Sequence, residues 1–377
     1  MAPTVRRTAC TLDCPDACTL EVAVDDGRLV AVDAAPADDP ADDTADDRAD
    51  DPVTPFTAGF ICAKVRRHGR RVHAPERILT PLRRVGPKGE GRFVPISWDD
   101  AVDLVADRLR ATIAEHGPDA VAPSLYSSSA GRLSSGGLVP LVWEALGTAE
   151  VADDICAATA GAAGEVTFGA MPSAHPEALA DSRLVVLWGA NPAVSNTHLL
   201  PLLTAARRRG ATVVVIDPRR TATARRADLH VPVRPGSDLA LALGVAATLE
   251  TEGRIDEHFV AAHVDGAGAH LAVARVWTPD RVAEACGIEA DTVVDLARLI
   301  ADERPGLLRV GWGLERHRRG GSAVRSALAL WALAGQFGQS GAGVLGSTSD
   351  APFWDEAPLR RAVLGEEPPP PRRQISM

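Results

Sequence analysis

The sequence predicts an α/β protein with parallel sheets behind a small amino-terminal domain held by cysteines. Three observations predict it. The first is the pattern of Cys10, Cys14, Cys18 and Cys62, spaced C-x3-C-x3-C-x43-C. The second is a strand–helix–strand order between Val185 and Ile216, within about thirty residues, which is the signature of a parallel crossover. The third is that each apolar run there ends abruptly in a polar turn, and ligands on parallel sheets bind at those carboxyl ends.

Length and composition bound the rest. A chain of 377 residues holds two or three domains, and 46% apolar content is ordinary for a globular protein. The net charge of -10 argues against a nucleic-acid surface. Part of that charge is local, in Ala-Asp-Asp units between Pro36 and Pro52, which read as a solvated insertion in the cysteine domain. No window approaches 18 uninterrupted apolar residues, so no membrane span is expected. Arg6-Arg7 precede the cysteines where a twin-arginine leader would need its apolar segment, and the expected location is cytoplasmic.

In chain order, the cysteines come first. Three in one tight group plus one distant arm suit a cubane iron–sulfur cluster and an electron-transfer site. A structural zinc usually takes its cysteines as two close pairs. Disulfides require an oxidising compartment. On spacing alone these alternatives stay open. Lys64, two residues past Cys62, is one of only two lysines, the other being Lys88, so it stands out from an arginine-rich background. Residues 19 to 32 alternate in hydrophobicity about Asp25-Asp26-Gly27, a hairpin that would lay a small sheet over the cysteines. Lys64 to Arg71 form a basic run suited equally to an anionic neighbour and to a solvated helix face.

Ser97 begins a helix as N-cap, with Asp100 at N3, Trp98, Val102, Val105, Leu109 and Ile113 on one face, and Gly117 past its end. The expectation for that face is core packing. Ser124 to Gly137 reads as a loop. Val185 to Trp188 is a buried strand ending in Gly189-Ala190-Asn191-Pro192. A helix runs from about Asn196 to Arg209 and stops at Gly210, and Thr212 to Ile216 is a second strand ending at Asp217-Pro218-Arg219-Arg220-Thr221. The G-x-G-x-x-G fingerprint is missing, so a nicotinamide dinucleotide is not favoured. Asp217 is placed to accept from a ribose hydroxyl and Arg219 to face phosphate, although Asp-Pro is also a plain turn opener. A third strand, Leu229 to Val233, leads to Arg234-Pro235-Gly236-Ser237-Asp238 and another helix. Thr278-Pro279 opens a further helix, and Cys286 near its end reads as a small core side chain. Leu307 to Val310 is strand-like and runs into Gly311-Trp312-Gly313. The helix from Ser322 to Leu333 is apolar nearly all round, hence buried. The end of the chain, with Pro368 to Pro371, reads as a disordered tail.

With the cysteine group, Cys62-Ala63-Lys64, Pro81-Leu82-Arg83-Arg84-Val85-Gly86, Ile96-Ser97-Trp98 and the three polar turns in view, the chain resembles the molybdopterin oxidoreductase family. These enzymes carry bis(molybdopterin guanine dinucleotide) and include formate dehydrogenases, nitrate reductases and polysulfide reductases. The resembling segments run in order from about residue 8 to about 350. The resemblance implies that Cys10, Cys14, Cys18 and Cys62 ligate a 4Fe-4S cluster and that Lys64 lies between cluster and pterin. It implies that Gly189, Asn191, Asp217, Arg219, Gly236 and Asp238 line the guanine dinucleotide, and that Cys156 binds molybdenum or tungsten. From residue chemistry alone Cys156 is a thiol beside the small residues Ala157, Ala158 and Gly161, as suited to a core as to a metal.

Two departures qualify the resemblance. Formate dehydrogenases of the family carry histidine directly after the metal-binding residue; here Ala157 stands there, which argues against formate. His175, His198 and His317 are site candidates by location only. Family members also continue into a carboxyl-terminal barrel-like domain, so a separate chain is expected to supply it unless the sequence is truncated. The expected division is a cluster domain at 1–75 with the acidic insertion 36–52, a first α/β domain at 76–148 plus 304–350, an inserted Rossmann-like domain at 149–303, and the tail 351–377. The expected function is electron transfer between a metal–pterin site and the cluster, with a small-molecule substrate and an electron-transfer partner protein. The alternative is a non-catalytic iron–sulfur scaffold.

Overall fold

The computed structural model describes residues 2–35, 57, 59–125, 137–152, 155, 157–347, 355, 357–366 and 371–376. The acidic insertion, Cys156 and most of the serine- and glycine-rich stretch 124–137 therefore lie outside the described residues. The chain divides into two units: Met1–Asp13, Ala17–Asp153 and Pro352–Met377 form one, and Cys14–Asp16 with Asp154–Ala351 form the other.

In the first unit, β1 (Thr4–Ala9), β2 (Thr19–Asp25) and β3 (Arg28–Ala34) make an antiparallel sheet in that order. The hairpin turns where the Asp-Gly pair predicts. Asp26 and Gly27 both have positive φ, at 45° and 71°, the geometry of a tight turn that matches strand twist. Two short helices follow, α1 (Ala63–Arg66) and α2 (His68–Val72), and β4 (Leu82–Arg84) pairs with β5 (Phe93–Pro95). Helix α3 (Trp98–His116) starts on Ser97, whose Oγ accepts from the Asp100 N–H at 3.0 Å, and ends at Gly117, φ 81°. Its apolar face departs from the expected core role. No residue of α3 is buried, and Trp98 is 71% exposed. Amphipathic spacing fixes the helix but does not supply an element to cover it. The unit continues with α4 (Gly137–Ala145) and β6 (Glu150–Ala152).

The tail is not the disordered finish that its prolines suggest. Ala357–Leu364 is a helix, with Arg360 paired to the buried Glu144 carboxylate, and Gln374–Ser376 pairs in parallel with β6. The proline run spans four residues only, and the ordered pieces flank it.

The second unit is built on one parallel sheet. Its strands are β7 (Leu184–Trp188), β8 (Thr212–Ile216), β9 (Leu229–Val231), β10 (Gly306–Val310) and β11 (Gly343–Leu345), in the order β11-β10-β7-β8-β9. All residues of β7 and β10 are buried, as continuous apolar runs on a two-faced parallel sheet require. This corrects the expected partition: a boundary at 303/304 would cut between strands that hydrogen-bond to each other, Gly306–Val310 being in register with Leu184–Trp188. The chain lays down β7, β8 and β9 outward, then returns to place β10 against the other edge of β7. The switch point of the topology therefore falls between β7 and β10.

Helices of this unit are α5 (Ala158–Phe168), α6 (Pro192–Ser195), α7 (Leu199–Arg208), α8 (Asp238–Thr251), α9 (Glu257–His263), α10 (Ala267–Ala274), α11 (Pro279–Cys286), α12 (Ala290–Asp302) and α13 (Gly320–Leu333). Alternation along the strands assigns the faces. Leu184, Val186, Trp188, Leu308 and Val310 join α8, α12 and α13 in the main core, while Arg309 falls in register with Leu187 on the opposite face. The start of β10 is locked by Gln336, which is fully buried. Its Oε1 accepts from Gly306 N–H at 2.7 Å and its Nε2 donates to Ile300 O at 2.8 Å.

Candidate functional site

In the first unit the Cys10 N–H donates to Cys18 O at 2.8 Å and closes the loop between them. Cys18 is buried, and Cys10 and Cys62 pack beside it against Leu20, Val32, Ile61 and Val65. Cys62 has extended backbone and caps α1, whose Arg66 N–H reaches Cys62 O; Lys64 is exposed on the same short helix. Every described cysteine is a thiol rather than half of a disulfide. Soft sulfur donors in an apolar shell fit an iron–sulfur cluster.

Cys14 belongs to the second unit with Asp16, a residue the sequence reading did not single out. Asp16 is 5% exposed and surrounded by donors. Asn196 Nδ2 donates to its Oδ1, while His198 Nδ1 lies 3.0 Å from Oδ2 and the His198 N–H lies 3.3 Å from it. Thr197 Oγ1 adds a longer contact at 3.4 Å. His198, a candidate by location, is thus a buried partner of Asp16. His175 is exposed beside Glu177 instead.

The polar turns gather at the carboxyl ends of the strands. Gly189, φ 63°, follows β7, and a Cβ there would meet Leu314 Cδ1 at 2.7 Å and Gly313 Cα at 3.0 Å. A Cβ on Gly311 would lie 2.2 Å from Gly189 O. Backbones at the switch point thus touch with no room for side chains, which is why glycines stand on both sides. Beside them a cleft of about 350 Å³ opens between the β9–α8 turn and the β10–α13 loop. Arg234, Gly236, Ser237, Asp238, Trp277, His317, Arg318 and Arg319 line it. Its size lies in the range of small-ligand pockets. Asp238 is mostly buried, and burial pushes its carboxyl up; the Trp188 indole N–H, 2.8 Å from Oδ1, opposes that shift. Arg319 is held in the left-handed region, φ 76°, at the start of α13.

Of the predicted residues, Gly236 and Asp238 line this cleft and Gly189 backs its Leu314 wall. Asn191, Asp217 and Arg219 do not line it. Asn191 Oδ1 accepts from Thr223 Oγ1 at 2.6 Å, and Asp217 Oδ1 accepts from the Arg219 N–H at 2.8 Å, the turn-capping geometry of an Asp-Pro opener. Arg219 is exposed. Cys156 lies outside the described residues. The residues after it, Ala157, Ala160 and Gly161, line a narrow pocket with Met171, Val310 and Trp312. Glu315 reaches the same helix end: its Oε2 accepts from Ala160 N–H at 2.8 Å, its Oε1 has no partner among the described residues, and burial pushes its carboxyl up. Single-sequence reasoning had no signal for Glu315, since nothing in its neighbourhood marks it as buried.

Fold and site define the class. The molybdopterin oxidoreductase domain matches residues 77–352, and the molybdopterin oxidoreductase Fe4S4 domain matches residues 3–74. The chain belongs to the molybdopterin oxidoreductase family, whose cofactors are a 4Fe-4S cluster and a molybdopterin. Among relatives, it is 31% identical to the probable oxidoreductase YoaE of Bacillus subtilis over 358 residues, covering 95% of this chain and 50% of that protein. It is 30% identical to dimethyl sulfoxide reductase DmsA of Escherichia coli, covering 89% and 44%. The solved structure of acetylene hydratase from Pelobacter acetylenicus superposes with a TM-score of 0.70 at 27% identity, covering 88% and 44%. The chain thus spans about half the length of these relatives. No helix among the described residues is long and apolar enough to cross a membrane.

Proposed function

We propose that this chain carries the cluster-binding and dinucleotide-binding part of an oxidoreductase that moves electrons between a molybdenum or tungsten bis(molybdopterin guanine dinucleotide) and a 4Fe-4S cluster. The observation that carries the reading is the cleft at the carboxyl ends of β9 and β10, with Asp238 and Arg234 on one side and His317 and Arg319 on the other. A fixed carboxylate accepts from the N–H edge of a guanine, and guanidinium groups complement phosphate. Cys10, Cys14, Cys18 and Cys62 are the proposed cluster ligands, Lys64 the bridge between cluster and pterin, and Cys156 the thiolate ligand to the metal. Gly189 and its glycine neighbours let the strand ends pack backbone to backbone behind the cleft. Asn191, Asp217 and Arg219 shape the neighbouring turns. The bound metal supplies two-electron exchange with a small-molecule substrate. Ala157, in place of histidine, removes the proton-handling group that formate chemistry uses in relatives. An electron-transfer partner protein and a cytoplasmic location belong to the same proposal.

Metal and nucleotide analysis of protein produced with the cofactor pathway intact tests it. The expected result is about four irons per chain together with molybdenum or tungsten and extractable guanine nucleotide. Iron without guanine points to a non-catalytic iron–sulfur scaffold, and the absence of iron overturns both readings.

A further inference from the structure

Among the described residues that line the cleft, Asp238 alone is acidic. What holds its carboxylate lies in the core beneath. Trp188, the last residue of β7, is fully buried in the main core, and its Nε1 donates to Asp238 Oδ1 at 2.8 Å. The indole is a donor only, so the oxygen it meets can only accept. Close packing around the ring leaves it no room to follow a turning carboxylate. Asp238 also opens α8, where the helix dipole favours an anion. Burial pushes its carboxyl up, and the Trp188 N–H is the strongest of the groups that oppose the shift.

Which bases such a carboxylate accepts follows from their edges. The Watson–Crick edge of guanine presents two adjacent donors, N1–H and the exocyclic amino group, and two carboxylate oxygens can accept from both. The same edge of adenine presents one donor beside the bare N1 acceptor, which meets a carboxylate oxygen lone pair to lone pair. A carboxyl that turns, or that takes a proton, loses the distinction, because its O–H can pair with adenine N1.

We propose that Trp188 determines the base specificity of the cleft through Asp238: its indole N–H holds the carboxylate as a fixed double acceptor that takes guanine and rejects adenine. Trp188 does not line the cleft itself and acts as a positioning residue. The proposal rests on the reading of the cleft as a guanine dinucleotide site and adds what makes that site selective.

Titration calorimetry with GDP and with ADP tests it, on the full chain produced without the pterin pathway so that the cleft is open to the probe. Folding of each variant is checked by circular dichroism. The unsubstituted chain should bind GDP tighter than ADP by roughly tenfold or more, the discrimination that a paired base edge supplies. Trp188→Phe should lower that ratio by about fivefold or more, chiefly by weakening GDP. A merely structural loss, such as the cavity left by the smaller ring, weakens both nucleotides together and leaves the ratio unchanged. An unchanged ratio in folded Trp188→Phe therefore overturns the proposal. If that variant does not fold, Asp238→Asn decides, since its amide oxygen still accepts from the indole and its N–H donors are then left for the cleft. Its preference should move towards ADP, whose edge pairs an acceptor with a donor; an unmoved preference overturns the proposal. Failure of the unsubstituted chain to bind GDP, or to prefer it to ADP, sinks the guanine reading of the cleft instead.

Discussion

Replacing Trp188 by Phe tests how the cleft is held together, because it removes one N–H and little else. Trp188 is fully buried at the end of β7, and its indole is the side-chain donor to Asp238 Oδ1, at 2.8 Å. A hydrogen bond to a charged acceptor contributes roughly 1.5–3 kcal/mol. Burial already pushes the Asp238 carboxyl up, so its ionised form is disfavoured and the lower part of that range applies, about 2 kcal/mol. The smaller ring adds a cavity cost unrelated to the bond. A double-mutant cycle separates the two: Trp188→Phe, Asp238→Ala and the double variant are unfolded in urea and followed by circular dichroism. A coupling of about 2 kcal/mol is expected. Additivity to within about 0.5 kcal/mol would refute the reasoning, since the bond would then contribute nothing to holding the carboxylate.

Glu315 makes a pH-dependent prediction. Its carboxyl is raised above the ordinary value by burial, so the folded state binds the proton more tightly than the unfolded state. Stability from this group is full below the ordinary glutamate pKa of about 4.3 and is lost as pH rises through the raised value. Glu315→Gln, which keeps an acceptor for Ala160 N–H, should raise the melting temperature at neutral pH and leave it unchanged in acid; a pH series of thermal melts checks the sign. Gly311→Ala places a Cβ 2.2 Å from Gly189 O, a backbone atom that cannot swing away, and should cost about 3 kcal/mol or more in urea unfolding. Gln336→Leu strands the Gly306 N–H and the Ile300 carbonyl in the core, for about 3 kcal/mol by the same measurement.

Local chemistry was legible in the sequence where the cause is local. The Ser97 cap, the Asp-Gly turn, the stop at Gly210 and the buried helix ending at Leu333 all follow from residues within a few positions of the feature. Parallel pairing is different. Nothing in Leu307–Val310 states that its neighbour is Leu184–Trp188, so residues 306–345 read as a separate layer when they complete the same sheet. The apolar face of α3 shows the same limit, because amphipathic spacing marks a face without naming what covers it. In the cleft, Gly236 and Asp238, which the family resemblance had pointed to, stand in the lining because their turn falls at a strand end. Asp16, Glu315 and Arg309 were missed because a charged residue is ordinarily taken as solvated, and only the tertiary structure shows these three buried.

Strand order also governs how this chain is made. β7 is flanked by β8, which follows it within about thirty residues, and by β10, which is translated on the order of a hundred residues later. At synthesis rates of roughly 5–20 residues per second, one edge of Leu-Val-Val-Leu-Trp waits about ten seconds for its partner on a growing chain. The edge can be covered only once Gly306–Val310 has been made, because that strand alone is in register with it on this side.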